Sequence, residues 1–263
     1  IGDRPFFLYV HTAEPHRPYI PPSPWRERLV ADYDGKTTGH YRGVHGYMNA
    51  REPKDVAHVR SLYDGEVAFA DAGFGSLLSV LNEKGLRENT LVVLTSDHGE
   101  ELYDHGGWNH GHTAHRELVH IPMVVSGPGV PKGKRVSTPV SLIDVAPAVL
   151  ATVNVDPPDT FDGVSLWNPK TDRPLFTRSS FTPRKSAMRK GGWTLIRDEG
   201  GAFSLYNQAA DPTEQTNVAT SHPEVVHEMA PQLKRWLAGQ VERPQRPLTT
   251  EETDRLKALG YIE

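Results

Sequence analysis

An adjacent acid and imidazole, Asp97 and His98, directly follow an apolar run at 91–95 that is typical of a buried strand. In open parallel sheets, ligands bind where the carboxyl ends of strands open into loops. A carboxylate oxygen beside an imidazole nitrogen suits a divalent cation, from Ca²⁺ through Mn²⁺ to Zn²⁺. Gly99 follows the pair and allows a sharp turn of the backbone. The segment therefore predicts a metal site with Asp97 and His98 as ligands.

A second cluster of polar side chains follows another apolar run, at 6–10. His16 and Arg17 lie there among prolines, which make the loop irregular but stiff. An imidazole donor beside a fixed positive charge suits an anionic ester, and the alternative is a histidine that only packs within the loop. If the runs 6–10 and 91–95 are neighbouring parallel strands, their loops open on one edge of the sheet. We then expect His16 within about 10 Å of Asp97.

Histidine is concentrated in one stretch of the chain, since six of the thirteen fall between residues 98 and 120. Surface loops rarely gather imidazoles in this way without a use for them. A single histidine in such a loop is still more often a hydrogen-bonding group than a ligand, and this is the expectation for His105, His115 and His120.

The clearest predicted helix runs from about residue 55 to 84, because apolar residues recur there at steps of three and four. They would form one core-facing stripe, and Gly85 would end the helix in the left-handed conformation. The residues of the stripe are Val56, Val59, Tyr63, Val67, Ala70, Phe74, Leu77 and Leu81.

A strand, a long helix and a second strand indicate a right-handed crossover between parallel strands. A third strand is expected at 121–125 and a further helix at 142–153. The fold class is therefore predicted to be α/β, with a mostly parallel sheet flanked by helices. Residues 1–171 would form this main domain.

After about residue 172 the pattern changes to short candidate strands separated by turn residues, which predicts a small antiparallel sheet. The candidate strands are 174–180, 185–190, 193–197 and 203–206. Two helices follow, each with a capping box, Ser221 with Glu224 and Thr249 with Glu252; Gly260 would end the second. Residues 172–263 would form a smaller subdomain of antiparallel sheet plus helix.

Composition excludes several classes of function. Among 263 residues, 37% are hydrophobic and 24% charged, as in ordinary soluble globular proteins. The net charge of −4 argues against a nucleic-acid partner bound by phosphate neutralisation. No apolar run approaches the eighteen or so residues of a membrane span. Cysteine is absent, which excludes disulfides, thiolate metal sites and a cysteine nucleophile within these residues.

Several motifs, in the correct order, resemble the sulfatase family of the alkaline phosphatase superfamily. They are FFLYVHTAEPHRPYIPP (6–22), VVLTSDHGEEL (92–102), HGHTAHRELVHIPMVVSGPG (110–129), LYNQAADPTEQTNVA (205–219) and RLKALGYIE (255–263). The resemblance covers essentially the whole chain. It implies a hydrolase of sulfate monoesters that acts on a sulfated small molecule or glycan. It also implies a periplasmic, extracellular or lysosomal location.

The resemblance also implies roles for individual residues. His16 would bind the sulfate, and Asp97 and His98 would bind a divalent cation, calcium in the first place, with manganese, magnesium or zinc as alternatives. Many relatives carry a lysine in the third motif, where this chain offers His110 or His112. Either of these histidines would bind sulfate or protonate the leaving oxygen, and the register leaves both open.

The family's reactive group has no counterpart in these residues. Its members carry an early acidic pair for the metal and a C/S-x-P-S-R motif whose Cys or Ser becomes formylglycine, the nucleophile; Ser23 does not fit that motif. Both elements belong upstream of residue 5. We therefore expect the amino-terminal half of the enzyme to be a separate or missing part, and this chain alone to be inactive.

Two alternatives remain open on the sequence. A phosphodiesterase or phosphonate monoester hydrolase of the same superfamily would hold its substrate with nearly the same donors. A truncated, non-catalytic sulfatase module would fold and bind a partner or an anion without turnover.

Overall fold

The structure, a computed structural model, describes residues 4–240 and 248–258. Within them the chain divides into two compact units, one from the described part of 1–87 and 243–263 and the other from that of 88–242. The predicted domains, 1–171 and 172–263, follow a different division and stay a prediction.

The described elements begin with helices, and four strands follow one another between residues 175 and 207. The helices are α1 (Trp25–Leu29), α2 (Pro53–Glu83), α3 (Arg116–Val119), α4 (Val145–Thr152), α5 (Pro223–Ala238) and α6 (Thr250–Ala258), with 3₁₀ turns at Tyr47–Asn49, Arg87–Asn89 and Leu142–Asp144. The strands are β1 (Val92–Thr95), β2 (Glu101–Leu102), β3 (Trp108–Asn109), β4 (Met123–Ser126), β5 (Leu175–Arg178), β6 (Ser186–Lys190), β7 (Trp193–Arg197) and β8 (Phe203–Asn207). Among the described helices, none is long and apolar enough to cross a membrane.

The long helix of the first unit confirms the periodicity prediction. Pro53 stands in its first turn, where a missing N–H costs nothing. Gly85, with φ +66°, follows its end as expected. Burial is limited to the first half of the predicted stripe, because Val59 is fully buried whereas Val67 and Leu77 are 44% and 42% exposed.

The loop after residue 10 is anchored to α2. The backbone N–H of Ile20 donates to Oε1 of Glu66 at 2.6 Å, and burial raises the pKa of that carboxyl. Tyr19 is fully buried and stacks on Tyr47, with ring centroids 4.9 Å apart, while Tyr63 meets it edge-on at 5.4 Å. These contacts fix the chain a few residues beyond the candidate sulfate-binding histidine.

The predicted strand at 6–10 is wrong for the structure described, where no strand forms over these residues. Phe7, Leu8 and Tyr9 are 82%, 66% and 72% exposed. A short apolar run specifies which side chains favour burial, but it does not specify the strand that would pair with it.

In the second unit β1 pairs with β4 and not with a strand that precedes α2. The two strands are antiparallel, with Val93 opposite Val125 and Thr95 opposite Met123. All ladders between the described strands are antiparallel, so this part of the chain does not contain the predicted parallel sheet. The predicted strand positions at 91–95 and 121–125 are confirmed to within two residues.

The carboxy-terminal sheet is antiparallel, as predicted, and its strand order is β5-β6-β7-β8. Side chains alternate across a strand, so the sheet has two faces to bury. One face packs on α5 through a cluster formed by Met188, Leu195, Leu205, Met229, Ala230 and Leu233. The ring of Trp236 on α5 stacks on Phe176 of β5 with centroids 5.0 Å apart.

The other face of this sheet packs against the segment that precedes α3. Ala114 lies in a second buried cluster with Ala187, Ile196 and Tyr206. The carboxyl of Glu214, 2% exposed, accepts hydrogen bonds from Nδ1 of His115 at 3.1 Å and from the backbone N–H of Arg116 at 2.9 Å. The carboxy-terminal sheet is thus joined to the histidine-rich segment by apolar contacts and by one buried carboxylate.

Of the two predicted capping boxes, one is confirmed. Thr249 and Glu252 exchange side-chain to backbone hydrogen bonds of 2.9 and 3.2 Å at the start of α6. At the start of α5 the prediction was wrong, because His222 is the cap residue and makes no side-chain capping bond. Gly260, the predicted stop of the last helix, lies outside the described residues.

The first prediction concerns the buried carboxylate of Glu214. Burial disfavours its charged form, but the hydrogen bond from His115 and the charge of Arg189 lower the pKa of Glu214 from 4.5 to about 2. Glu214→Gln should lower the free energy of unfolding at pH 7 by about 3 kcal/mol, because it leaves buried Arg189 without its counter-charge. Urea denaturation of both proteins measures this difference.

The pH dependence distinguishes the charge from the shape of this side chain. A carboxyl whose pKa is depressed in the folded state stabilises above its unfolded pKa of 4.5, and this stabilisation is lost as the pH falls toward 2. The difference between wild type and variant should therefore shrink below pH 4.5. Glu228→Gln, which alters a carboxylate 68% exposed and 3.8 Å from Lys190, is the control and should change little. A pH-independent difference would contradict the assignment.

Candidate active site

Asp97 and His98 lie immediately beyond the carboxyl end of β1, as the sequence predicts. The N–H of Gly99 donates to the carbonyl of Leu118 at 2.8 Å, which fixes the chain against α3. A Cβ built at Gly99 would lie 2.0 Å from the carbonyl oxygen of Glu117. Glycine is needed here for this close approach of two backbones.

The ring of His98 is held in one tautomer. Its Nδ1 lies 2.8 Å from the carbonyl oxygen of Gly99, which can only accept, so Nδ1 carries the proton. The lone pair is then on Nε2, which lies 3.7 Å from Oδ2 of Asp97. The other oxygen of Asp97 accepts the N–H of His98 at 3.0 Å. One oxygen and one nitrogen are thus placed side by side at the end of β1.

The hairpin β2–β3 carries the chain back to this point. Glu101 pairs with Asn109 across the hairpin, and Asn109 adopts a left-handed conformation with φ +73°. His110 follows, and its ring centroid lies 4.1 Å from that of His98. Nδ1 of His110 lies 3.0 Å from Oε1 of Glu100. The structure therefore brings His110 together with the Asp97-His98 pair.

His112 is hydrogen-bonded to the carboxylate of Glu101. Its Nε2 donates to Oε2 of Glu101 at 2.6 Å, and Oε1 of the same carboxylate accepts the N–H groups of His105 and Gly107. The hydrogen bond to Glu101 raises the pKa of His112, against the effect of burial. Burial alone would raise the pKa of Glu101, but the bonds from His112 and the two N–H groups bring it below its usual value.

A second network involves His105 and His115, whose rings stack 3.9 Å apart. Nδ1 of His105 lies 2.9 Å from Oε1 of Glu117, and its Nε2 lies 2.9 Å from the carbonyl oxygen of Glu214. Burial lowers the pKa of His105, but these acceptors outweigh it and raise the pKa above its usual value. Both histidines are hydrogen-bonding groups, although His115 is buried and not on the surface.

Glu101, His105 and Glu117 present ligand atoms within 4.8 Å of one another and are a possible metal group by distance. Both oxygens of Glu101 already accept hydrogen bonds, and both nitrogens of His105 point at acceptors. A cation would have to displace these protons. The donor set therefore fits an ion-pair network better than a metal site.

His16 belongs to the other compact unit. Its Nδ1 lies 3.0 Å from the carbonyl oxygen of Arg17, and the guanidinium of Arg17 lies 4.5 Å from the ring centroid of Tyr41. That His16 lies within about 10 Å of Asp97 stays a prediction.

Sequence reasoning missed the carboxylates that hold the histidines. His105, His110, His112 and His115 pair with Glu117, Glu100, Glu101 and Glu214 at 2.9, 3.0, 2.6 and 3.1 Å. The signal present in the sequence was the doublet Glu100-Glu101 directly after the metal motif. Glu214 gave none, because it lies 99 residues from His115.

The second prediction concerns the pair of His112 and Glu101. Glu101→Gln keeps an oxygen for the backbone N–H groups but removes the negative charge, so the pKa of His112 should fall from its raised value. The raised pKa of His112 and the lowered pKa of Glu101 make the pair stabilising between about pH 4.5 and 6.5. That contribution is lost as the pH rises through the folded pKa of His112 or falls through that of Glu101.

An NMR titration of the His112 ring in both proteins measures the shift. The control is Glu224→Gln, which removes the carboxylate beside exposed His222 and should leave His112 unchanged. A His112 pKa that is the same in Glu101→Gln and wild type would disprove the pairing.

Comparison with known proteins identifies the family. A family model described as Sulfatase matches residues 2–155, more than half of the chain. Arylsulfatase K of Canis lupus familiaris is 30% identical over 231 residues, which cover 81% of this chain and 42% of that protein. The chain thus spans less than half the length of this relative.

Solved structures share the fold. A 2-O GAG sulfatase superposes with a TM-score of 0.65 at 19% identity, covering 71% of this chain and 44% of that one. The phosphonate monoester hydrolase of Agrobacterium radiobacter gives a TM-score of 0.71 at 21% identity, covering 89% and 59%. The family model covers residues 2–155, which include the motifs around Asp97 and His110. The chain therefore belongs to the sulfatase family.

Proposed function

We propose that the complete enzyme hydrolyses a sulfate monoester of a small molecule or glycan with the help of a divalent cation. The observation that carries this proposal is the grouping of a carboxylate and two imidazoles at the end of β1. There Nε2 of His98 lies 3.7 Å from Oδ2 of Asp97. The ring centroids of His98 and His110 lie 4.1 Å apart. Oxygen and nitrogen ligands beside a further imidazole donor suit a cation and an anionic ester together.

Asp97 and His98 are the proposed ligands of the cation. Two ligand atoms about 2.5 Å from one ion and at nearly a right angle lie about 3.5 Å apart, close to the separation of Oδ2 and Nε2. Calcium is the first candidate, with manganese, magnesium or zinc as alternatives; the carboxylate oxygen suits calcium, manganese and magnesium, and the imidazole nitrogen suits zinc. A cation bound there would supply positive charge against the sulfate oxygens.

His112 is the proposed donor to the departing oxygen, with His110 as the alternative. The bond to Glu101 favours the protonated ring of His112. Its Nδ1 lies 3.4 Å from the carbonyl oxygen of His110, a long hydrogen bond that an ester oxygen would have to replace. Protonation of a leaving alcohol needs such a donor within hydrogen-bond distance. His16 is proposed to bind the sulfate group itself.

The nucleophile is proposed to come from a segment that these 263 residues do not include, because they contain neither Cys nor a Ser in the C/S-x-P-S-R context. Phosphonate monoester hydrolysis is the second candidate function. It is retained because a hydrolase of that class shares the fold, so the fold does not separate sulfate from phosphorus esters.

The third prediction tests the metal ligands. Calorimetric titration of the purified chain with Ca²⁺ and with Mn²⁺ should show one site, and Asp97→Asn should weaken it by at least about tenfold, since even indirect partners of metal ligands have that effect. Asp172→Asn alters an exposed carboxylate of the same unit and is the matched control. Equal affinity in wild type and Asp97→Asn would remove Asp97 from the site.

The fourth prediction tests the reaction. The complete enzyme should turn over 4-nitrophenyl sulfate with a higher kcat/KM than bis(4-nitrophenyl) phosphate, and the 263-residue chain alone should turn over neither. A reversed preference would favour the phosphorus-ester alternative, and no turnover by the complete protein would favour the non-catalytic module. Metal-dependent hydrolysis by the chain alone would show that its nucleophile lies within it.

A further inference from the structure

The loop between β5 and β6, residues 179–185, lies beside the two site histidines. Its base is closed by two hydrogen bonds, from the N–H of Ser179 to the carbonyl of Lys185 at 2.7 Å and from the N–H of Lys185 to Oγ of Ser179 at 2.8 Å. These bonds hold the loop in one conformation. It belongs to the carboxy-terminal sheet, far in sequence from the metal motif.

Phe181 at the tip of this loop is fixed to the residue between the histidines. Its N–H donates to the carbonyl of Gly111 at 2.7 Å. A Cβ built at Gly111 would lie 2.7 Å from both Cδ2 and Cε2 of the phenyl ring, and Gly111 has φ +82°. Only glycine tolerates both the conformation and the contact.

The rest of the ring faces solvent, because Phe181 is 58% exposed. A large apolar side chain held in place at one edge and open at the other offers a rigid surface at little entropic cost on binding. The same loop also affects the chemistry of the site, because the charge of Lys185 opposes the rise in the pKa of His112. Loop and imidazole are therefore within electrostatic reach of each other.

We propose that Phe181 forms the wall against which a ring in the alcohol part of the ester stacks. The inference rests on the proposed function, in which His112 or His110 donates to the departing oxygen. The alcohol carbon is bonded to that oxygen, so a ring on this carbon lies within a few bonds of the donors, and Phe181 contacts Gly111 between them. Aromatic faces attract arenes by offset stacking, and the C–H-lined face of a sugar packs on them in the same way.

The test compares kcat and KM of the complete wild-type enzyme with those of three variants. Phe181→Ala removes the ring, Phe181→Tyr keeps it, and Phe161→Ala removes a phenyl that is 41% exposed elsewhere in the same unit. Substrates are 4-nitrophenyl sulfate, a monosaccharide sulfated on a ring hydroxyl, and butyl sulfate, which has no ring. Ratios of variant to wild type are taken within each substrate, so that intrinsic reactivity cancels.

Phe181→Ala should lower kcat/KM for the ring-bearing esters by about tenfold, mainly through KM, and leave butyl sulfate unchanged. Phe181→Tyr should restore most of the loss, and Phe161→Ala should have no effect. A loss with only the aryl or only the sugar ester supports the stacking on Phe181 and identifies which of the two rings stacks there. Equal losses for all three substrates, or none, would overturn it while leaving the proposed function intact. If the wild-type enzyme hydrolyses none of the sulfates, the proposed function fails and the wall fails with it.

Discussion

The buried carboxylate of Glu214 is the contact on which the geometry of the second unit depends. The carboxylate accepts hydrogen bonds from the side chains of His115 and Arg189 and from the backbone N–H of Arg116. The backbone carbonyl oxygen of the same residue lies 2.9 Å from Nε2 of His105. Removing such charges from water costs several kcal/mol unless each one is paired and hydrogen-bonded. The residue also adopts φ +54°, a conformation that costs a side-chain-bearing residue about 1 kcal/mol. These costs are offset only when the carboxy-terminal sheet packs against the histidine-rich segment. The sheet therefore helps to hold the candidate site in place.

The site itself follows from a repeated use of one interaction, an imidazole held by a carboxylate. Adjacent Glu100 and Glu101 point in different directions and take His110 and His112, which are two residues apart with the left-handed Gly111 between them. The ring of His110 thereby lies against that of His98, and the pKa of His112 is raised by its hydrogen bond to Glu101. The arrangement gives the two imidazoles different surroundings without any difference in residue type.

Local patterns in the sequence predicted the local structure. The α2 periodicity, the Thr249 capping box and the short strands after residue 174 depend on neighbours in the chain, and the structure confirms them. The parallel sheet and the strand at 6–10 depended on which strands pair, which periodicity does not encode. Asp97 and His98 were candidates from a motif of adjacent residues, whereas Glu214 and Phe181 belong to no such motif. Their relevance arises from contacts with His115 and Gly111, 99 and 70 residues away.

The exposed run at 6–10 has a consequence for the handling of the chain. Five consecutive apolar or aromatic residues, four of them of high β propensity, carry no charge, proline or glycine, and Phe7 and Tyr9 are 82% and 72% exposed. Such a window favours edge-to-edge pairing between copies, the first step of aggregation. Arg4 and Pro5, directly before the run, are residue types that interrupt such pairing, but they flank only its amino-terminal side. A charged substitution at Leu8, in the middle of the run, is the most direct way to weaken such pairing in preparations of the 263-residue chain.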